Sequence, residues 1–125
     1  MKTQLSLLLL FICLALSCEQ PDTLAPSIII VTPEENSSFL NGQAIDIAVD
    51  IEDDVMLHSY SLTILTPDNG EIKWTASQQI NVQEFSIRES FLPEVKLTTS
   101  FLLKIEARDA TGNENKTETE FQVNL

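Results

Sequence analysis

Residues 101–125 read FLLKIEARDATGNENKTETEFQVNL, and this stretch decides the fold. Its apolar side chains recur at every second position on both sides of a short break: Phe101, Leu103, Ile105, Phe121 and Val123. A period of two places successive side chains on opposite faces of a strand, so one face of each strand is apolar. The break at residues 109–113 (DATGN) is rich in turn-forming residues. The stretch therefore predicts two long strands joined by a turn.

The same alternation recurs upstream. Its clearest example is residues 45–52, where aliphatic side chains alternate with Asp, Ala and Glu. Shorter or weaker alternating pieces cover residues 28–31, 60–64, 72–74 and 80–87. Residues 33–38 (PEENSS) carry turn-forming residues and predict a loop. About seven short strands and no helix indicate an all-β protein, an antiparallel β-sandwich over residues 27–125.

Length and charge exclude several classes of protein. A chain of 125 residues has room for one small domain. Its net charge of -12 repels phosphate backbones and anionic lipid headgroups, so we expect no nucleic-acid partner and no basic helix adsorbed to a membrane. A hydrophobic content of 43% argues against intrinsic disorder.

The N-terminus predicts export. Lys2 is followed by an apolar run at residues 5–16 (LSLLLLFICLAL). A run of this length is too short to cross about 30 Å of hydrocarbon as a helix, but it suits a signal peptide. A buried core helix would show a polar face, and this run is apolar on nearly every side. We expect residues 1–17 to be a cleaved signal peptide.

Residues 15–18 (ALSC) resemble the lipobox of bacterial lipoproteins, in which the Cys carries the lipid and becomes the first residue of the processed chain. Cleavage would remove Cys13 and leave Cys18 with no disulfide partner, and a lipid would cap this thiol. The resemblance implies a lipidated Cys18, a tether over residues 18–26 and attachment to the outer membrane, with the leaflet undetermined. An ordinary signal cleavage after Ser17 is the alternative and would give a secreted protein.

The tether contains a second short motif. Asp22-Thr23-Leu24 resembles the Asp-Ser/Thr-aliphatic acceptor of periplasmic O-glycosylation in some Gram-negative bacteria, which implies Thr23 as the modified residue. An ordinary polar linker is the alternative.

A broader family resemblance begins at residues 101–113. Their pattern, aromatic-x-aliphatic-x-aliphatic-x-Ala-x-Asp-x-x-Gly-Asn, looks like strand F and the F–G turn of fibronectin type III, PKD and bacterial Ig-like domains. Together with residues 26–30 and 53–57, it is similar to uncharacterised Ig-like outer-membrane lipoproteins of Gram-negative bacteria. The resemblance implies an Ig-like sandwich that acts as an interaction or accessory module of the cell envelope. Phe101 stands where many relatives have the Tyr of the tyrosine corner.

Acidic residues gather near two predicted loops. In an Ig-like sandwich the B–C and F–G loops share one end, so oxygen ligands from both loops would converge there. Ca²⁺ takes 6 to 8 such ligands. The candidate metal ligands are Asp50, Glu52, Asp53, Asp54, Asp109 and Asn113. The alternative is that Asp109 caps the turn and the other charges keep the domain soluble.

Two aromatic residues and one histidine bear on glycan binding and on catalysis. Tyr60 and Trp74 are candidate contacts for a glycan, because planar rings stack on sugars. His58 is the single imidazole, and a Ser or Cys nucleophile normally needs a His base oriented by a carboxylate. We therefore predict a protein without enzymatic activity. Its expected partners are the membrane, through the lipid anchor, and an envelope protein or a glycan; Ca²⁺ is the one cofactor considered.

Overall fold

A computed structural model describes residues 19–125. The predicted signal peptide and the lipidation site Cys18 lie outside these residues. The described part folds into eight strands: β1 (Ser27–Thr32), β2 (Ser37–Leu40), β3 (Ile45–Glu52), β4 (Leu57–Leu65), β5 (Ile72–Gln79), β6 (Glu84–Phe91), β7 (Thr99–Asp109) and β8 (Glu114–Asn124). Within residues 19–125, no helix is long and apolar enough to cross a membrane.

The strands form two sheets packed face to face. One sheet has the order β1-β3-β6, and the other has the order β2-β8-β7-β4-β5. All neighbours are antiparallel except β2 and β8, which run parallel. This arrangement confirms the predicted all-β, Ig-like sandwich. The two long strands predicted first, β7 and β8, pair along their whole length, with Phe101 opposite Phe121.

The strand that the sequence does not predict is β2. Residues 37 and 38 were placed in a loop, but Ser37 pairs with Phe121 and Leu40 with Asn124. Asn36 has a φ of 61°, and this left-handed residue ends the turn through which the chain crosses from one sheet to the other. Four residues with a single alternation give too short a pattern to predict a strand.

The core lies between the two sheets. Every second residue is buried along β3, along β7 from Phe101 and along β4 from Tyr60, after a bulge that follows Leu57. The largest fully buried side chains are Phe121, Ile45, Ile47, Ile51, Leu57, Leu62, Ile64, Ile87, Leu103, Ile105, Val49 and Val123. Burying each such side chain contributes roughly 1.5–3 kcal/mol to folding.

The two ends of the sandwich differ in chemistry. At one end Phe101 stacks on Phe121 with ring centroids 5.6 Å apart, and Phe91 packs edge-on against Phe101 at the same distance. Phe101 is thus a buried packing residue at the corner. At the other end the β7–β8 turn contains Gly112, whose φ of 96° suits glycine. The polar loops and the candidate acidic residues lie at this second end.

Candidate cation site

Three segments meet at the end of the sandwich that carries the β7–β8 turn: residues 22–26 before β1, residues 53–56 between β3 and β4, and residues 109–113 at the turn itself. Strand pairing brings them together, because β1 begins opposite the end of β3 and β4 begins opposite the end of β7. The amide of Ala110 donates to the carbonyl oxygen of Met56 at 2.9 Å, which holds the turn against the β3–β4 loop.

One aspartate from each region forms a cluster that we call the acidic apex: Asp22, Asp53 and Asp109. One carboxylate oxygen of each lies within 4.8 Å of those of the other two. Asp53 is 8% exposed and Asp109 is 1% exposed, while Asp22 is half-buried. None of the ion pairs formed within residues 19–125 includes any of the three. Three negative charges in a poorly hydrated site with no paired cation repel one another and favour a bound positive ion.

Asp109 organises the β7–β8 turn. Its Oδ1 accepts hydrogen bonds from the amides of Thr111 at 2.9 Å and Asn113 at 2.8 Å, and from the Thr111 hydroxyl at 3.1 Å. Its Oδ2 accepts one from the Asn113 side-chain amide at 2.8 Å. Burial opposes ionisation of Asp109, but these hydrogen bonds outweigh it and hold the pKa of its carboxyl below the usual value. Asp109 therefore keeps its charge at neutral pH while it caps the turn.

Asp53 has one satisfied oxygen and one unsatisfied oxygen. Its Oδ2 accepts hydrogen bonds from the amides of Val55 at 3.0 Å and Met56 at 2.9 Å, which shapes the β3–β4 loop. Its Oδ1 is fully buried and has no hydrogen-bond partner among the described residues. Buried polar atoms in native proteins are almost always hydrogen-bonded, and leaving one without a partner costs about 1–3 kcal/mol. Oδ1 of Asp53 is thus a buried acceptor in a cluster of three carboxylates, an arrangement able to bind a positively charged ligand.

Asp22 joins the apex from outside the strands. Its Oδ2 accepts a hydrogen bond from the Thr111 hydroxyl at 2.9 Å, and its Oδ1 accepts one from the Leu24 amide at 3.0 Å. Its backbone carbonyl accepts a further bond from the Asn113 side chain at 3.2 Å. The segment that was expected to be a plain tether is thus docked on the β7–β8 turn from residue 22 onward.

Asn113 lies in the apex as the sequence predicted, but as a hydrogen-bond donor. Its Nδ2 donates to Asp109 and to the carbonyl of Asp22, so the amide nitrogen faces the carboxylates. Asn113 therefore holds two of the three aspartates in place through its side-chain nitrogen.

The other predicted acidic ligands lie apart from the apex. Asp50 is on the outer face of β3, where it accepts hydrogen bonds from Ser86 at 2.9 Å and Arg88 at 3.0 Å. These two bonds, Ser86 first, hold the pKa of the Asp50 carboxyl below its usual value. Glu52 and Asp54 are exposed and do not join the three clustered carboxylates. Strand alternation explains the separation, because residues 50 and 52 face away from the core.

The predicted glycan contacts face the core. Tyr60 is 6% exposed, packs against Phe85 and donates a hydrogen bond to Gln78 at 3.2 Å. Burial raises the pKa of the Tyr60 hydroxyl, and the charge of Glu89 raises it further. Trp74 lies on β5 opposite Ile64, is half-buried and packs against the core. The structure gives both rings a packing role.

The predicted glycosylation residue Thr23 and the single imidazole, His58, are both exposed. Thr23 lies in the docked segment with its side chain accessible, and His58 lies on the outward side of β4. Cys18 lies outside the described residues.

The acidic residue that the sequence analysis missed is Asp22. A signal for it exists, because β1 pairs antiparallel with β3 and so begins at the end where β3 finishes. Any acidic side chain shortly before β1 therefore enters the same end as Asp53.

Fold and site together define a small Ig-like β-sandwich in which three segments bring carboxylates together at one end. No protein-family model and no curated protein sequence matches the chain. Among solved structures, it is similar to CopC from Methylosinus trichosporium OB3b, with 16% identity, a TM-score of 0.49, and coverage of 78% of this chain and 94% of that one.

The chain is also similar to OgpA from Akkermansia muciniphila. Catalytically inactive OgpA in complex with an O-glycopeptide substrate, glycodrosocin, gives a TM-score of 0.53 at 10% identity, covering 85% of this chain and 31% of that one. Wild-type OgpA gives a TM-score of 0.53 at 12% identity, covering 82% and 30%. The chain thus spans about a third of the OgpA chains. At these identities the likeness supports the β-sandwich fold and no finer conclusion.

Proposed function

We propose that the protein is an exported, non-enzymatic accessory module of the cell envelope that binds a divalent cation of the Ca²⁺ class at the acidic apex. In this proposal residues 1–17 are the cleaved signal peptide, Cys18 carries the lipid, and the sandwich of residues 27–125 is the binding body. Support for export comes from the sequence, through its N-terminal apolar run and the lipobox-like residues 15–18.

The observation that carries the cation proposal is the buried, unpartnered Oδ1 of Asp53 within a cluster of three carboxylates. A cation would give this oxygen the partner it lacks and would remove the repulsion between the three charges. Turn capping accounts for both oxygens of Asp109 and for Oδ2 of Asp53. It does not account for Oδ1 of Asp53.

The ligand chemistry favours a hard divalent ion. The three carboxylates offer oxygen only, which suits Ca²⁺, Mg²⁺ or Mn²⁺ and disfavours thiolate- and imidazole-seeking metals. Two ligands at about 2.3–2.6 Å from Ca²⁺ lie at most about 5 Å apart. The apex oxygens lie within 4.8 Å of one another, so they can share one Ca²⁺ ion. Mg²⁺ requires shorter bonds and a stricter octahedron, so we expect it to bind more weakly.

The affinity for Ca²⁺ that we expect of this site suits an exported protein. Extracellular modules commonly bind Ca²⁺ with a Kd of about 10⁻⁴–10⁻³ M, far weaker than cytosolic sensors. Three carboxylates from loops, completed by water, suit that range, and we expect a Kd of this order.

Direct binding tests the proposal. The lipid-anchored chain, purified in detergent and stripped with chelator, is titrated with CaCl₂ by calorimetry. We expect one ion per chain for the wild type and loss of binding for Asp53→Asn, which keeps the size of the side chain and removes its charge. Asp54→Asn is the matched control, since it removes the same charge from the exposed neighbour and should bind as the wild type does. No binding to the wild type at 10 mM CaCl₂ (about ten times the weakest expected Kd), or equal binding by Asp53→Asn, would refute the site.

A further inference from the structure

Resting on the proposed function, we infer that the cation clamps residues 22–26 onto the sandwich and thereby sets how far the sandwich stands from its membrane anchor. The three carboxylates come from two separable parts of the chain. Asp53 and Asp109 belong to the folded body, whereas Asp22 belongs to the segment that leads to Cys18. An ion bound by all three joins the segment to the body.

The docked position of the segment is already defined by polar contacts. Besides the bonds from Thr111 and Asn113 to Asp22, the side chain of Asn115 donates to the carbonyl of Pro26 at 2.9 Å. Pro26 itself is buried, so the segment is held at both of its ends. A bound ion would stabilise a conformation that the chain has available, and no new fold is required.

Without an ion, electrostatics oppose this docking. The Asp22 carboxylate then lies beside two buried carboxylates. Only the exposed side chain of Thr111 bonds this carboxylate to the body, and the half-buried side chain of Asn113 bonds the backbone carbonyl of Asp22. With an ion, the same charge becomes a ligand. Docking of the segment and binding of the ion are therefore linked, and each strengthens the other by the same factor.

The clamp changes the reach of the anchor. Asp22 lies four residues after Cys18, and Ser27 lies nine residues after it. At no more than roughly 3.6 Å per extended residue, the chain from the lipid spans at most about 14 Å to a docked Asp22, against about 32 Å to the first strand when the segment is free. Binding of the ion thus draws the acidic end of the sandwich towards the membrane surface and shortens the maximum reach of the tether to less than half.

Hydrogen exchange tests the clamp directly. The lipid-anchored chain in detergent is labelled with and without CaCl₂, and peptides covering residues 19–26 are followed by mass spectrometry. We expect Ca²⁺ to slow exchange at residues 22–25 by tenfold or more in the wild type and to leave it unchanged in Asp22→Asn. Asp22→Asn should also bind Ca²⁺ about tenfold more weakly, because it loses one charged ligand. Asp54→Asn should match the wild type in both measurements.

A second variant tests the linkage without touching the carboxylates. Asn115→Ala removes the bond to Pro26 and leaves the acidic apex intact. If docking and binding are linked, this variant binds Ca²⁺ several-fold more weakly than the wild type. Wild-type affinity in both Asp22→Asn and Asn115→Ala, with exchange at residues 22–25 insensitive to Ca²⁺, would overturn the clamp while the cation site stands. A wild type that binds no Ca²⁺ would instead overturn the proposed function.

Discussion

Replacing Asp53 by Asn should stabilise the protein in chelator, and calcium should cancel or reverse this gain. In chelator the wild type keeps a buried charge whose Oδ1 has no partner beside two other carboxylates. Asn retains the oxygen that accepts from the amides of Val55 and Met56 and places an amide nitrogen where Oδ1 lies. An unsatisfied acceptor becomes a donor facing carboxylates. We expect Asp53→Asn to be more stable than the wild type in chelator by about 1–3 kcal/mol, the cost of an unsatisfied buried group.

Calcium should cancel or invert this order. A ligand that binds only the folded state stabilises it by about 1.4 kcal/mol at ten times its Kd and about 2.7 kcal/mol at a hundred times. The wild type gains this free energy, and Asp53→Asn, which lacks the charge, gains little of it. The advantage of the variant is therefore offset as CaCl₂ rises.

The assay is urea unfolding followed by the fluorescence of Trp74, the single tryptophan, which packs against the core. Equal slopes of free energy against urea would show that the variant and the wild type expose the same surface on unfolding. Asp54→Asn serves as the control and should lie within about 0.5 kcal/mol of the wild type in both conditions. If Asp53→Asn is less stable than the wild type in chelator, the unpartnered oxygen is not a source of instability and the reasoning fails.

Three further predictions concern other parts of the chain. Hydrogen bonds from the Thr119 hydroxyl and the Glu120 amide, the first the stronger, hold the pKa of Glu35 below its ordinary value of 4.5, so this carboxylate stabilises the fold above that pH and ceases to do so as the pH falls through its lowered pKa. The stability difference between the wild type and Glu35→Gln, measured by urea unfolding, should therefore shrink on acidification; a difference that grows would contradict it. Phe121→Ala should cost about 3–5 kcal/mol in the same assay, since Phe121 is 1% exposed, and a loss under 1 kcal/mol would show that the aromatic end is loosely packed. Cys18→Ala should move the protein from the membrane fraction to the soluble fraction on immunoblots, and its retention in the membrane would exclude the lipid anchor.

The sequence predicted the fold where alternation was long and failed where it was short. The strands β3, β7 and β8 have 8, 11 and 11 residues and bury every second side chain along most of their length, so their faces follow from the pattern. The four-residue β2 escaped prediction because its pairing with β8 depends on the turn at Asn36 and on packing against a distant strand. The formation of β2 thus depends on interactions between segments that are far apart in the chain.

The candidate site, like the fold, could be predicted from the sequence only in part. The sequence predicts Asp53 and Asp109 together, because the B–C and F–G loops of an Ig-like sandwich share one end, and the structure places them together. Asp50 and Glu52 are candidate ligands because of their charge, but they occupy the alternate positions of β3 whose side chains point away from the core. The place of Asp22 in the cluster depends on the docking of a segment without regular secondary structure, and no periodic sequence pattern predicts such docking.

The contrast between the two ends of the sandwich explains how the fold sustains an unsatisfied charge. Stacked and edge-on rings around Phe101 and Phe121 close one end with apolar surface, and the core between the sheets is continuous with them. That packing contributes stability far from the apex, so the fold can carry the cost of Oδ1 of Asp53. Natural proteins break local rules of burial and pairing mainly where a site requires it. Among the buried side chains of residues 19–125, the one polar atom without a hydrogen-bond partner belongs to the cluster of three carboxylates. A cation bound by this cluster would give that atom its partner, so the unsatisfied charge lies at the proposed binding site.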